Sequence, residues 1–246
     1  MNGAQILKNQ NHSAGTMTGP PAAYKFVSAE FGIADLKDRR LKLTLVDDLN
    51  DPFDLNAIDT TNPRMDDAVT MTVAQFKRDY SLLCFSRNWD NLLLWSHYAA
   101  RHTGLCLGFD IPDASSGASV YMDVHYQPNL LQVRDAKDVN LDLVYRLLST
   151  KHESWSYEQE VRIFVGINDP PDERGHFWVQ FGPDLQLREV IIGAQCSAEN
   201  ANAVCEVLKE CSDQIECTWA YMRSDAFLLV RDKTPHKYKF RPSERE

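Results

Sequence analysis

The densest group of side chains that could take part in chemistry lies between residues 89 and 104. The sequence Trp-Ser-His-Tyr occupies positions 95–98, and His102 follows shortly afterwards. On a helix, His97 and His102 are about 140° apart around the axis, so they cannot chelate one metal ion as an i, i+4 pair does. The segment is either a helix that lines a cleft with its polar residues or a core helix whose aromatic side chains pack. The spacing alone favours the core helix.

A second group of charged side chains comes later, at Glu158, Glu160 and Arg162. In a β-strand these three project from one face, because successive side chains alternate. Such a stripe is usually a solvated face with a weak ion pair. Because the pattern places Glu160 on the polar face, we expect Glu160→Gln to affect chemistry and to leave the melting temperature nearly unchanged. Alternatively, one carboxylate stabilises a developing cation while Arg162 holds its geometry.

The third segment is the loop 50–54, Asn-Asp-Pro-Phe-Asp. Asp and Asn before Pro are common in turns, so turn formation is favoured over a direct chemical role. The chain contains no Gly-rich phosphate loop, no G-x-S-x-G elbow and no zinc-spaced Cys/His set. These absences leave the three segments above as the candidates.

Composition limits the classes of partner. The 246 residues carry a formal net charge of −9, so we expect no broad nucleic-acid-binding or anionic-membrane surface. No apolar run approaches the length of about 20 residues that a membrane-spanning helix needs, and residues 1–21 do not resemble a secretory signal. We therefore expect a cytoplasmic protein that makes no membrane contact.

The six cysteines are spread along the chain and form no C-x-x-C pair. Several lie in apolar, strand-like runs, where cysteine usually acts as a small buried hydrophobe. We expect reduced, structural thiols and no metal site.

The elements that must position these segments are read from periodicity. Residues 1–22 are expected to form a flexible arm, 23–236 a single α+β domain with mixed or antiparallel sheets and four to five helices, and 237–246 a charged tail. Helices are predicted at about 65–80, 140–154 and 198–211. The best-defined helix is predicted over residues 90–102, with Asp90 as N-cap and Gly104 as the stop.

Together the three segments resemble the bacterial family called domain of unknown function 2971. The resemblance rests on a leading Tyr-Lys-aromatic, an Asn-Asp-Pro-Phe loop, a Trp-Ser-His-Tyr-Ala helix, a Cys-x-Gly-Phe-Asp strand and a Tyr-Glu-x-Glu-x-Arg strand. Here these motifs begin at Tyr24, Asn50, Trp95, Cys106 and Tyr157, respectively. The chain departs from the family at position 161, where Val replaces a frequent Trp. The family name implies no reaction.

The order of these motifs is also similar to that of ADP-ribosyltransferase-like domains. That similarity implies a fold in which two small sheets clamp NAD, and a reaction that passes through a ribosyl cation. It implies NAD as co-substrate and an acceptor that is a protein, a nucleic acid or a small molecule, and it suggests a toxin or phage-defence effector. Glu160 would stabilise the cation and Glu158 would orient the acceptor.

The resemblance gives a complete set of candidate site residues. The candidate catalytic residues are Glu160, Glu158 and His97. The candidate NAD-binding residues are Tyr24, Asn50, Ser86, Trp95, Ser96, Tyr98, His102 and Arg162, with Ser86 and Ser96 as rivals for the central polar position. Two other interpretations stay open: a hydrolase or nuclease built on His97, His102, Asp51 and Glu160, and a non-catalytic ligand-binding or sensing module.

Overall fold

The computed structural model describes residues 22–59, 63–110, 121–133, 135, 138–167, 169–211 and 215–233. The predicted arm, apart from Ala22, and the predicted tail lie outside these residues. The described helices are α1 (Ala29–Asp38), α2 (Pro63–Asp79), α3 (Leu92–Tyr98), α4 (Leu141–Leu148) and α5 (Ala198–Glu210), with 3₁₀ helices at Val46–Asp48 and Glu153–Glu158. The described strands are β1 (Ala22–Val27), β2 (Arg40–Lys42), β3 (Ile58–Asp59), β4 (Tyr80–Ser86), β5 (Leu105–Asp110), β6 (Tyr121–Asp123), β7 (His125–Gln127), β8 (Leu131–Gln132), β9 (Thr150–His152), β10 (Glu160–Gly166), β11 (Trp178–Gln180), β12 (Gln186–Ile192), β13 (Glu216–Met222) and β14 (Leu229–Asp232).

Eight of these strands form one sheet in the order β14-β13-β12-β5-β1-β4-β10-β6. Only the β12–β13 pair is parallel; the other neighbours run antiparallel. The α+β fold with a mixed, mostly antiparallel sheet is therefore confirmed. The strands that carry the candidate residues belong to this single continuous sheet rather than to two small ones. Register places Ser86 opposite both Tyr24 and Glu160, so β1, β4 and β10 bring these three side chains together.

The two faces of the sheet are covered differently. On one face, α1 and α5 pack over a large apolar core that includes Leu36, Leu107 and Val204. The other face carries two separate clusters. One lies under α2 and α4 and includes Phe164, and the second lies under α3 and includes Trp95. Between these clusters the sheet face carries polar residues such as Ser86 and Glu160, and a cleft opens there.

The helix predicted over residues 90–102 is shorter than expected. Its N-cap is Asn91 rather than Asp90, because the Asn91 side chain accepts from the backbone N–H groups of the first turn. It ends at Tyr98, and residues 100–102 all adopt positive φ, between 47° and 68°. Three consecutive left-handed residues cannot continue a right-handed helix, so the chain turns back toward the sheet.

Gly104 is required by a close backbone approach rather than by a helix stop. A Cβ at this position would lie 2.1 Å from the carbonyl oxygen of Val27. Glycine therefore lets the returning chain enter β5 directly beside β1.

The helix predicted over residues 140–154 was also too long. It ends at Leu148, and the Ser149 hydroxyl donates to the carbonyl of Tyr145 at 2.8 Å. The chain continues as β9, which pairs in parallel with β7, and then as the 3₁₀ helix Glu153–Glu158. This change of direction brings Lys151 into the interior.

Two further predictions concern thiols and membranes. All six cysteines are free, and Cys106 is completely buried. Within the described ranges, no helix has both the length and the apolar character to cross a membrane.

Candidate functional site

This cleft has a volume of about 230 Å³ and lies on the polar part of the sheet face. Six of the eleven predicted site residues line it: Tyr24, Asn50, Ser86, Tyr98, Glu158 and Glu160. Lys151, which the sequence did not single out, also contributes to the lining. The predicted grouping of the first strand, the loop, the helix and the E-x-E segment is therefore observed in space.

The E-x-E segment has a different local structure from the predicted strand. Glu158 ends the 3₁₀ helix, Gln159 adopts a left-handed conformation with φ of 43°, and only Glu160 begins β10. The left-handed residue redirects the chain between the two glutamates. Both carboxylates are buried, with 5% and 6% exposure, so the predicted solvated face is wrong. The two carboxylates contact Lys151, and Glu160 also contacts Arg162, which reaches Asp54 in the loop 50–54.

Arg162 anchors the floor of the cleft. Its Nε and one terminal nitrogen donate to the two oxygens of Glu160 at 2.8 and 3.0 Å. The same terminal nitrogen donates to Asp54 Oδ1 at 2.7 Å, and the other donates to the carbonyl of Leu148 at 3.0 Å. Arg162 is 1% exposed and lies beneath Glu160 rather than in the cleft lining. Its planar guanidinium therefore holds Glu160 in place.

Lys151 bridges the two glutamates. Its Nζ donates to Glu158 Oε2 at 2.8 Å and to Glu160 Oε2 at 3.3 Å. The same nitrogen lies 3.9 Å from Asp54 Oδ2 and 4.7 Å from the ring centroid of Trp155. These contacts connect β9, the 3₁₀ helix and β10 through one ammonium group.

The buried charged cluster, defined as Asp54, Lys151, Glu158, Glu160 and Arg162, contains three carboxylates and two cations. Burial by itself raises the pKa of Glu160, but Arg162 and Lys151 outweigh it and lower the value to about 2. Burial raises the pKa of Asp54 despite its contact with Arg162. Asp54 Oδ2 is buried and has no hydrogen-bond partner. The cluster therefore holds an ionised Glu160, and it also holds the Asp54 carboxyl, whose burial is only partly compensated by hydrogen bonds.

The rim of the cleft is formed by tyrosine and asparagine. The Tyr98 hydroxyl donates to Glu158 Oε1 at 2.6 Å and accepts from Asn50 Nδ2 at 2.8 Å. Burial and the bond to Glu158 raise the pKa of Tyr98, so the phenol remains a donor. Tyr24, which also lines the cleft, donates to Glu189 Oε1 at 3.0 Å, and burial beside that carboxylate raises the pKa of Tyr24 to about 12.

The two rival serines differ in position. Ser86 lines the cleft and is 4% exposed; its hydroxyl donates to the Glu158 carbonyl at 2.6 Å and accepts from the Asn88 N–H at 3.0 Å. Ser96 is exposed and does not line the cleft. Of the two, only Ser86 faces the cleft, and its hydroxyl is engaged in holding the backbone of Glu158.

The remaining predicted site residues of this segment do not line the cleft. Trp95 is completely buried, donates to the Trp89 carbonyl at 2.6 Å and packs edge-on against Phe26. His102 stacks on Trp95 with ring centroids 6.2 Å apart, and burial lowers its pKa. His97 is exposed and lies against Tyr98 and Tyr157. The helical turn of 100° per residue explains this, because it places Leu94 and Tyr98, four residues apart, over the cleft.

The residues proposed for a hydrolase do not come together. Of His97, His102, Asp51 and Glu160, only Glu160 lines the cleft. Asp51 is buried, and its Oδ1 accepts from the backbone N–H of Phe53, as expected for turn formation. Across the part of the chain that the structure describes, no group of three or more His, Cys, Asp or Glu side chains could hold a metal ion.

Sequence reasoning missed Lys151 and the charge role of Asp54. Lys151 fell inside a predicted helix, and Asp54 was assigned to a turn. One signal was available, since two glutamates beside one arginine leave an unbalanced negative charge that a buried cluster must compensate.

The chain also matches one protein family. Residues 94–163 match the family described as "Protein of unknown function (DUF2971)". This match confirms the resemblance predicted from the motifs, over a segment that runs from the Trp-Ser-His-Tyr helix to the Glu-Val-Arg strand. The DUF2971 segment includes Lys151, Glu158 and Glu160, whereas Tyr24 and Asn50 precede it. No curated protein and no solved structure matches the chain.

Proposed function

We propose that the protein is an ADP-ribosyltransferase-like enzyme that binds NAD in the cleft and transfers ADP-ribose to an acceptor nucleophile. In this reaction the bond between the nicotinamide nitrogen and ribose C1′ breaks, and its electron pair leaves with nicotinamide. The acceptor's lone pair forms the new bond to C1′, and the acceptor loses a proton. A toxin or phage-defence role stays a prediction from the resemblance.

The observation that carries this proposal is an ionised carboxylate at the base of a tyrosine-rimmed cleft. Glu160 lines the cleft and remains charged because Arg162 and Lys151 hold its pKa near 2. A carboxylate fixed in a mostly dry site stabilises a developing cation more than the same group in water does. Tyr24 and Tyr98 supply aromatic walls of the kind that a nicotinamide ring requires.

The size of the cleft limits how NAD would bind. Its volume of about 230 Å³ is below the range of about 300–1,000 Å³ typical of drug-sized ligands. The enclosed part is therefore suited to the nicotinamide riboside end. We propose that the adenosine end lies outside the enclosed volume.

The test is release of nicotinamide from NAD by the purified protein, with candidate acceptors added in turn. Tyr98→Phe keeps the ring but removes the hydroxyl that links Asn50 to Glu158. Glu160→Gln removes the charge, and we expect it to lower turnover by about 100-fold or more. Glu206→Gln, on the exposed surface of α5, is the matched control and should leave turnover unchanged.

Failure of wild-type protein to release nicotinamide with any acceptor would remove the support for this activity. Equal turnover in wild type and a folded Glu160→Gln variant would eliminate Glu160 as the charge-stabilising group. The Tyr98 side chain is partly exposed, so we expect Tyr98→Phe to fold normally. A loss of turnover in this variant would therefore come from the missing hydroxyl at the rim and not from unfolding.

A specific observation also favours a second candidate, a non-catalytic ligand-binding module. All four carboxylate oxygens of Glu158 and Glu160 already accept hydrogen bonds from Tyr98, Lys151 or Arg162. A carboxylate so fully engaged is suited to maintaining the shape of a binding site. Calorimetric NAD binding without nicotinamide release, abolished in an Asn50→Ala variant, would favour this second function.

A further inference from the structure

Lys151 is the cation that joins the two glutamates at the base of the cleft. Its side chain is 3% exposed, and its Nζ lies within 3.3 Å of an oxygen of each glutamate. The surface pair Lys209–Glu206 has a similar distance of 2.7 Å, but both of its side chains are 69% exposed. The same type of pair is therefore present in two environments, one buried and one solvated.

The position of Lys151 follows from the local fold. Parallel pairing of β9 with β7 places Lys151 opposite Tyr126, and the Tyr126 hydroxyl accepts from the backbone N–H of Glu160 at 2.8 Å. Trp155, on the following 3₁₀ helix, packs its ring against the ammonium. Lys151 is thus held from several directions, and its nitrogen has little freedom to leave the glutamates.

Burial by itself lowers the pKa of Lys151, but the three carboxylates outweigh it and raise the value, so the amine stays protonated. If this charge were removed, three buried carboxylates would face one guanidinium. Buried like charges of this kind are relieved by uptake of a proton. The groups that face the cluster come from several elements: Asp54 from the loop, Cys84 from β4, Tyr98 from α3, Tyr126 from β7, Trp155 and Glu158 from the 3₁₀ helix, and Glu160 and Arg162 from β10.

We propose that Lys151 is a positioning residue that holds the carboxylates of Glu158 and Glu160 side by side and keeps Glu160 ionised into the acidic pH range. As a statement about catalysis, this rests on the proposed function. Lys151 need not touch the ribose, because it acts through the two glutamates. Its loss would therefore change the pH at which the site is charged.

The experiment compares Lys151→Met, Lys151→Arg and the surface control Lys209→Met in protein labelled with ¹³C at the glutamate carboxyls. The Glu160 resonance is assigned from the Glu160→Gln variant. In Lys151→Met we expect the pKa of Glu160 to rise from about 2 by about 1 unit or more. Lys151→Arg should restore most of the wild-type titration, and Lys209→Met should match wild type.

The second readout is the pH profile of nicotinamide release. In Lys151→Met, the acidic limb of the pH profile of kcat should move to higher pH by about the same amount as the pKa of Glu160. Lys151→Arg should reverse this shift. An unchanged Glu160 titration in folded Lys151→Met would overturn the proposal. A changed titration with an unchanged acidic limb in an active enzyme would overturn its catalytic part.

If Lys151→Met does not fold, Lys151→Met/Asp54→Asn takes its place, because it removes one cation and one anion and keeps the net charge of the cluster. A smaller rise in the pKa of Glu160 is expected there, because loss of the Asp54 anion offsets part of the loss of the directly contacting Lys151 cation. No rise at all would also overturn the proposal. The carboxyl titration does not depend on NAD. If the wild-type protein releases no nicotinamide, the proposed function is contradicted. The carboxyl titration still shows whether Lys151 controls the pKa of Glu160.

Discussion

Arg162 donates two hydrogen bonds to the carboxylate of Glu160, the residue two positions before it on the same strand. Both side chains lie on the cleft face of β10, and both are buried. A buried ion pair repays its desolvation only when its geometry is good and its remaining donors are satisfied. Here Asp54 and the carbonyl of Leu148 satisfy the rest of the guanidinium. Glu160 is consequently part of the architecture as well as a candidate catalytic residue.

The first prediction is that Glu160→Gln lowers the free energy of unfolding by about 3 kcal/mol, because it leaves the buried Arg162 guanidinium without the carboxylate to which it donates two hydrogen bonds. The strand pattern alone predicts a solvated glutamate and almost no change in melting temperature. Urea denaturation at pH 7 measures the difference. Glu206→Gln serves as the surface control, and a Glu160→Gln variant as stable as that control would contradict the prediction.

The second prediction concerns the pH dependence of stability. The pKa of Glu160 is lowered from 4.5 to about 2 in the folded protein. The stabilisation from its ionised form is therefore fully present above pH 4.5 and is lost as the pH falls toward 2. Glu160→Gln should remove the contribution of Glu160 to the dependence of the unfolding free energy on pH. By linkage, this contribution amounts to about 3 kcal/mol between pH 4.5 and 2. Denaturation midpoints measured between pH 2 and 6 test this, and parallel curves for wild type and variant would refute it.

The third prediction separates core from surface on α3. Trp95→Ala should lower the free energy of unfolding by about 3–5 kcal/mol, because a completely buried aromatic side chain is deleted. His97→Ala should change it by about 0.5 kcal/mol or less, since His97 is exposed. Both are measured by chemical denaturation. If His97→Ala is as destabilising as Trp95→Ala, the histidine has a packing role that its exposure does not indicate.

The fourth prediction concerns Asp35, on α1. Burial raises its pKa from 3.8 to about 7 and outweighs the attraction of Lys25 and Arg40. The protonated form therefore favours folding, with its contribution fully present below pH 3.8 and lost as the pH rises through about 7. Asp35→Asn should be more stable than wild type by about 1 kcal/mol at pH 8, a partial gain because the two cations lose an anion. At pH 4 the two proteins should differ much less.

Glu30→Gln, on the exposed side of the same helix, is the control for Asp35→Asn. Thermal melts at pH 4 and pH 8 provide the comparison. A difference that is equal at both pH values would show that Asp35 does not titrate between them.

Much of the framework could be predicted from local pattern. The helices α2 and α5 were predicted close to their observed positions, since helical periodicity is a local property. The errors occurred where a tertiary contact ends an element early. Tyr98 ends α3 because the chain must return beside β1, and Leu148 ends α4 because β9 pairs with β7.

The motifs also brought the correct segments to the cleft: Tyr24, Asn50, Ser86, Tyr98, Glu158 and Glu160 all line it. For the other predicted site residues, the sequence pattern did not predict which way the side chains face. His97 and His102 are polar residues in a specific motif, yet helical phase and the left-handed turn direct them away from the cleft.

The sequence by itself determined the α+β class, the residue types at the site and the family resemblance, because composition, periodicity and motif order are properties of the chain. Tertiary structure alone decided that the E-x-E segment is buried and that Lys151 lies between its two carboxylates. The physical reason is that charge compensation in a buried cluster depends on distances of a few ångströms. Such distances arise only when β9, the 3₁₀ helix and β10 pack together.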